Sequence, residues 1–156
     1  MSIAGPTDYL ALGGLILARL ESRLPDLSGR IKSLGDPAAI DAAGQVTPAL
    51  FVLFGGETVE SDRSGRAESV IQTWMVVVSV RSHQDMRSGQ SAYAIAGPIV
   101  TRVIHALSGW HPGSPYGLLT RVTPSLGPGY ENGWYYHPLA WECRFAFSAS
   151  SLEIPQ

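Results

Sequence analysis

Lysine is almost missing from this chain of 156 residues, where Lys32 stands alone. A nucleotide-binding Gly-x-x-x-x-Gly-Lys-Ser/Thr loop needs a lysine at the phosphates, and no segment fits, so P-loop chemistry is excluded. Cysteine is as scarce: Cys143 is the only one, which rules out an internal disulfide framework and a cysteine-based zinc site. Charge of either sign is thin, at 15% of residues against about 25% in typical globular domains. Eleven basic and 13 acidic residues give a net charge of −2, whereas a dedicated nucleic-acid-binding domain shows a basic excess. The N-terminal apolar run from Tyr9 to Ala18 is far shorter than the ~20 residues that cross a bilayer. Asp8 precedes it, no basic residue comes before, and Arg19, Glu21 and Arg23 follow, which is not a signal-peptide pattern. The expected setting is a cytosol or a larger assembly built there. Neither a Gly-x-Ser-x-Gly elbow nor a His-Glu-x-x-His helix occurs.

What is present reads as one folded unit over residues 1–156. Hydrophobic residues make up 45%, enough for a core that needs no metal or disulfide. With so little charge to cover a surface, the composition points to a subunit of something larger. Seventeen glycines and 11 prolines predict many turns.

Apolar spacing predicts a helix from about Tyr9 to Leu24, capped by Thr7 or Asp8 and buried along Leu12, Leu15, Ile16, Leu20 and Leu24. The Gly13-Gly14 pair weakens it by about 1 kcal/mol per glycine and suggests that another backbone approaches closely. Pro25 ends it. A short strand follows at Ile31–Leu34, then a helical turn opened by Asp36-Pro37 and running through Ala43. Ala49–Phe54 is an apolar strand. Val70–Arg81 is a second, with Trp74, Val76, Val78 and Val80 on one face and Met75 and Val77 on the other, so both faces should be covered. Gln90–Leu107 forms the second main helix, with Tyr93, Ala96, Val100, Val103 and Leu107 inward. Pro98 should kink it or split it after Gly97. Gly109 is the C-terminal cap, with Trp110 folding back. A short strand at Leu118–Val122 and a long one at Trp134–Phe147 complete the set, and Pro138 suggests an edge position or a bulge. The predicted fold is α+β: a mixed, mostly antiparallel sheet of about four to five strands against two main helices.

Between the two central strands, residues 55–69 (GGETVESDRSGRAES) are polar and glycine-bearing. They read as a long loop, and loops of that length in compact domains are usually functional or unordered. His105 should face solvent, and His111 and His137 precede prolines in turns. His83 with Asp85 could form an acid–base pair, but no nucleophile or oxyanion donors can be placed beside it. A polar loop with a local Asp85–Arg87 ion pair fits better. Cys143 alternates in phase with Trp141 and Phe145, as a small core residue would. Trp110, Trp134, Tyr135 and Tyr136 fit core or interface anchoring better than base stacking.

Several segments, in their order, make a recognisable set: Gln45-Val-Thr-Pro-Ala-Leu50, Gln72-Thr-Trp74 running into Arg81, and Gln84-Asp-Met-Arg-Ser-Gly89. Ala96-Gly-Pro98, Leu107-Ser-Gly-Trp-His-Pro112 and Tyr135-Tyr-His-Pro-Leu-Ala-Trp141 follow. With them the chain resembles the tail terminator proteins of long-tailed phages and prophages, from about Leu15 to Phe147. The resemblance implies a non-enzymatic virion subunit that needs no cofactor and forms a hexameric ring. That ring would cap the tail tube, end its polymerisation and meet the head-side connector or stopper protein, while DNA only passes through the lumen. Its partners would be itself and the tail tube protein, with no membrane. The expected contact residues are Glu57, Glu60, Asp62, Arg63, Arg66 and Glu68 on the polar segment, then Arg81, Asp85 and Arg87. Another structural subunit of the particle, such as a head-completion or tube-like protein, is the alternative, and a small hydrolase comes after it.

Overall fold

The computed structural model describes residues 5–36, 46–82, 89–131 and 133–148. Two helices, α1 (Ala11–Arg23) and α2 (Gln90–Leu107), pack on a six-stranded sheet. Its strands are β1 (Ile31–Ser33), β2 (Ala49–Ser61), β3 (Ala67–Arg81), β4 (Thr120–Val122), β5 (Gly129–Glu131) and β6 (Trp134–Ser148). The order is β1-β2-β3-β6-β4, with β5 also beside β6. Only β1 and β2 run parallel, and every other pairing is antiparallel. The fold is thus α+β with one strand more than expected.

The extra strand is β5. Its residues Gly129–Glu131 lie in a glycine- and proline-rich stretch that carries no apolar alternation. It pairs with the start of β6 across a turn in which Gly133 takes φ 84°. The Asn132-Gly133 dipeptide is the sequence signal for such a hairpin.

β3 and β6 alternate as their sequences dictate. Val70, Trp74, Val76, Val78, Leu139, Trp141, Cys143 and Phe145 point to the helices and join α1 and α2 in the main core. Ala49, Phe51, Leu53, Met75, Val77 and Ala140 form a second cluster on the opposite face, so the centre of the sheet is covered on both sides. Gly13 is what lets α1 settle: a Cβ there would lie 2.6 Å from the Trp74 ring, while Gly14 faces open space.

The helices depart from expectation in detail. α1 starts at Ala11, because Asp8 turns the chain first, its Oδ1 accepting the Leu10 N–H at 3.0 Å. Leu15 and Tyr93 are exposed, and Gly13, Ala92, Ile99 and Ala106 take up the inward stripes. α2 runs unbroken through Pro98. Pro98 and Ala94, whose carbonyl the proline leaves without its helical donor, both lie on the exposed side, where water can bond that carbonyl. Gly109 follows the helix with φ 74°, and the Trp110 N–H returns to the Leu107 carbonyl at 3.1 Å. Trp110 lies beneath the Arg19 guanidinium, which bonds the Ala106 carbonyl at 3.0 Å and joins the helices. Pro138 makes neither an edge nor a bulge. It sits in register with Val77 in the gap between the stretches of β6 that β5 and β4 cover, where no ladder N–H is needed. The helical turn expected after Asp36-Pro37 lies outside the described residues.

Candidate functional site: a charged hairpin

The segment 55–69 is not a loop. β2 continues to Ser61 and β3 begins at Ala67, leaving a turn of 62–66. The pairing runs from Gly56↔Thr73 to Ser61↔Glu68, and β6 stays paired with β3 as far as Ala67↔Ser148. The strand forms because its backbone finds partners along β3, although its side chains bury almost nothing. A bulge between Phe54 and Gly56 separates the two parts of β2, with Gly56 at φ 112°.

The tip is closed by its own polar groups. The Asp62 N–H donates to the Ala67 carbonyl at 2.9 Å and the Gly65 N–H to the Asp62 carbonyl at 3.1 Å. Ser64 Oγ donates to Asp62 Oδ1 at 2.7 Å, and the Arg66 N–H to Ser64 Oγ at 3.2 Å. Gly65 takes φ 71°, which a side chain would oppose. The Ser64 hydroxyl bond, joined by backbone N–H bonds, holds the Asp62 carboxyl below the usual range.

The base of the hairpin is tied down by Tyr9. The Tyr9 hydroxyl donates to Glu57 Oε2. The Tyr9 carbonyl accepts the Gln72 amide N–H at 2.8 Å, and Gln72 Oε1 accepts the Trp74 indole N–H at 3.0 Å. Tyr9 also meets Phe145 and Phe147 edge-on at 5.8 and 5.9 Å. Desolvation, then the Glu57 bond, pushes the Tyr9 hydroxyl up to about 12.

These contacts place the expected residues. Glu57 is engaged with Tyr9 on the helix side, and Glu60 lies exposed. Asp62, Arg63 and Arg66 form the exposed tip, and Glu68 is half-buried opposite Phe147. Arg81 is not part of this group. β3 has 15 residues, so at about 3.3 Å per residue Arg81 stands ~45 Å from Ala67. There its guanidinium lies 4.8 Å from the centre of Trp134, which stacks on Tyr136. Asp85 and Arg87 lie outside the described residues. The Tyr9 tie was hidden in the sequence, where Tyr9 reads as the first residue of a helix.

Among the described residues no cluster of three His, Cys, Asp or Glu side chains could hold a metal. Cys143 is buried, its thiol pushed up to about 11 by desolvation, and it donates to the Gly117 carbonyl at 3.4 Å. A cleft of about 210 Å³ lies between α2 and β6, lined by Tyr93, Ala96, Gly97, Val100, Tyr135 and His137. In its wall the His137 ring bonds the Tyr135 hydroxyl at 2.6 Å.

The model of the family described as phage tail terminator protein matches residues 7–151. The chain belongs to the phage tail terminator family. It is accordingly a tail-related structural component of a phage particle. Among solved structures, a chain titled "Virion of native gene transfer agent (GTA) particle" is similar at 14% identity and a TM-score of 0.58. The match covers 89% of this terminator-family chain and 99% of that one, and it shows a shared fold. No curated protein sequence matches. Among the described residues no helix is long and apolar enough to cross a membrane.

Proposed function

We propose that the whole chain acts as one tail-terminator domain, six copies of which form a ring on the end of the tail tube. The ring ends tube growth and offers its other face to the head-side connector or stopper protein, and DNA passes through the lumen. The observation that carries this is the family match over residues 7–151, nearly the full chain. The physics of termination asks for two unlike faces on one subunit: one complementary to the last tube ring, the other not. The charged tip at Asp62, Arg63 and Arg66 is the proposed axial contact, and Arg81 with its Trp134–Tyr136 stack is a separate contact at the far end. Asp85 and Arg87 are assigned to contacts between subunits. A chain that works by docking needs no catalytic group or cofactor.

The test is genetic and visual. Particles made without this protein should carry tails of uncontrolled length, and the wild-type chain supplied in trans should restore a uniform length. Uniform tails without it would overturn the reading.

A further inference from the structure

β4 and β5 are two halves of one interrupted edge strand. Both run antiparallel to β6, β4 ending at the pair Val122↔Ala140 and β5 starting at Gly129↔Tyr136. Between those pairs the six residues 123–128 face the three residues 137–139. Excess residues at a sheet edge stop the pairing and re-aim side chains, and they are built features rather than defects. Prolines stand on both sides of this one, Pro124 and Pro128 on the excursion and Pro138 on β6. The excursion opens a cavity of about 540 Å³ whose lining includes Arg121, Thr123, Pro124, Pro128, His137 and Pro138.

The floor of the cavity offers a backbone acceptor. Along β6 the Gly133 carbonyl accepts the Ser82 N–H on the β3 side at 2.9 Å, and the Arg144 carbonyl accepts the Gly117 N–H on the other side at 2.8 Å. The β3–β6 register is unbroken between them, so alternation turns the Pro138 carbonyl away from β3, as at Arg144. Pro124 and Pro128 have no N–H to give it, and among the described residues no loop N–H bonds it. The rim is basic: the described lining contains Arg121 and His137 and no carboxylate. Arg121 is exposed and takes part in no ion pair among the described residues. The His137 ring also borders the smaller cleft toward α2, where Tyr93 and Tyr135 face it and the Tyr135 hydroxyl meets its Nδ1. Burial, then the Arg121 charge, holds the imidazole below its ordinary value, and a carboxylate seated between the two would reverse the second effect. In a second copy Asp26, Glu57 and Asp62 are already engaged with Arg102, Tyr9 and Ser64, which favours an acid from another protein.

We propose that this cavity is the docking site for an extended, carboxylate-bearing segment of a partner protein, with its acid held by Arg121 and His137 and one of its backbone N–H groups donated to the Pro138 carbonyl. The acid supplies a charge-assisted contact at the rim, and the N–H supplies the strand-like bond that β4 and β5 leave unmade. The site rests on the reading of the chain as a docking subunit and gives the chemistry of one of its partners.

The test uses the full-length chain and two blocked peptides, acetyl-Gly-Glu-Gly-amide and its neutral match acetyl-Gly-Gln-Gly-amide, followed by NMR of the histidine rings. At millimolar concentration the Glu peptide should shift the His137 ring signals, raise the midpoint of its titration and leave the other histidines unmoved. The Gln peptide, and Arg121→Gln titrated with the Glu peptide, should each bind about tenfold more weakly or less. Arg121 is exposed, so Arg121→Gln should melt with wild type, and Arg121→Lys should recover part of the binding. No shift of His137, equal binding of the two peptides, or an Arg121→Gln protein that binds like wild type overturns the site. In particles, Arg121→Glu should lower incorporation of the chain about tenfold without changing its sedimentation in solution. A change in self-association instead would give the cavity to a second copy and overturn the partner assignment. The peptide arm needs no particle, so peptide binding together with uniform tails in the absence of the protein would overturn the functional reading and leave the site standing.

Discussion

The upper and lower halves of one sheet behave as if they belonged to different proteins. Around Leu50–Leu53, Met75–Val78 and Leu139–Trp141 the strands are buried on both faces, under two helices on one side and a second apolar cluster on the other. Beyond the bulge at Phe54/Gly56 the same strands continue with exposed residues on β2. There Tyr9, lying over Gln72, Phe145 and Phe147, and Tyr116, edge-on to Phe145 at 5.6 Å, cover the helix side. The first half gives the chain its stability. The second is held in shape by backbone pairing and a few polar ties, and its tip at Asp62–Arg66 is exposed.

Removing the largest side chain of the covered half should have the greatest effect. Trp141 is 1% exposed, and its indole donates to Ser108 Oγ at 3.1 Å, so Trp141→Ala should cost about 3–5 kcal/mol by chemical denaturation. A denaturation midpoint equal to wild type would break the contrast from the stable side. Gly13→Ala comes next. The added methyl meets the Trp74 ring at 2.6 Å, and separating α1 from the sheet should cost about 1–3 kcal/mol.

In the other half the expected effects on stability are small. Tyr9→Phe loses only an exposed bond to Glu57, worth about 0.5–1 kcal/mol. Because the Tyr9 hydroxyl is raised to about 12, its contribution is complete below the ordinary value near 10 and fades as the pH rises through 12. The difference in melting temperature between wild type and Tyr9→Phe should therefore shrink over that window, and a constant difference would show that the tie to Glu57 does not stabilise the fold. Replacing Arg63–Arg66 with Asn-Gly keeps the Asp62–Ala67 pair and closes a two-residue hairpin. It should change stability by less than about 0.5 kcal/mol and abolish capping of tubes in a complementation assay. Normal tail lengths from that variant would move the axial contact away from the tip.

The covered half was legible in the sequence because burial writes a pattern. Trp74, Val76 and Val78 against Met75 and Val77 announced two covered faces, and Trp141, Cys143 and Phe145 announced a half-buried strand. The hairpin was not legible as strand. Glu57, Thr58, Val59, Glu60 and Ser61 are exposed on both faces, so they carry no alternation, and the pairing that extends them is decided by β3 and β6. β5 was missed for the same reason, with only Asn132-Gly133 to mark it. Asp62, Arg63 and Arg66 were candidates because of their charge, and the structure shows them exposed at the tip. Tyr9 and Gln72, which anchor that tip, could not be found, because their bond joins residues 63 positions apart.

An image reconstruction of the purified particle tests the account most directly. It predicts six copies of this chain in one ring between the last tube ring and the head-side connector, with the 55–69 hairpin seated against an axial neighbour. Finding the chain elsewhere in the particle, in another symmetry, or with the hairpin pointing into solvent would contradict it.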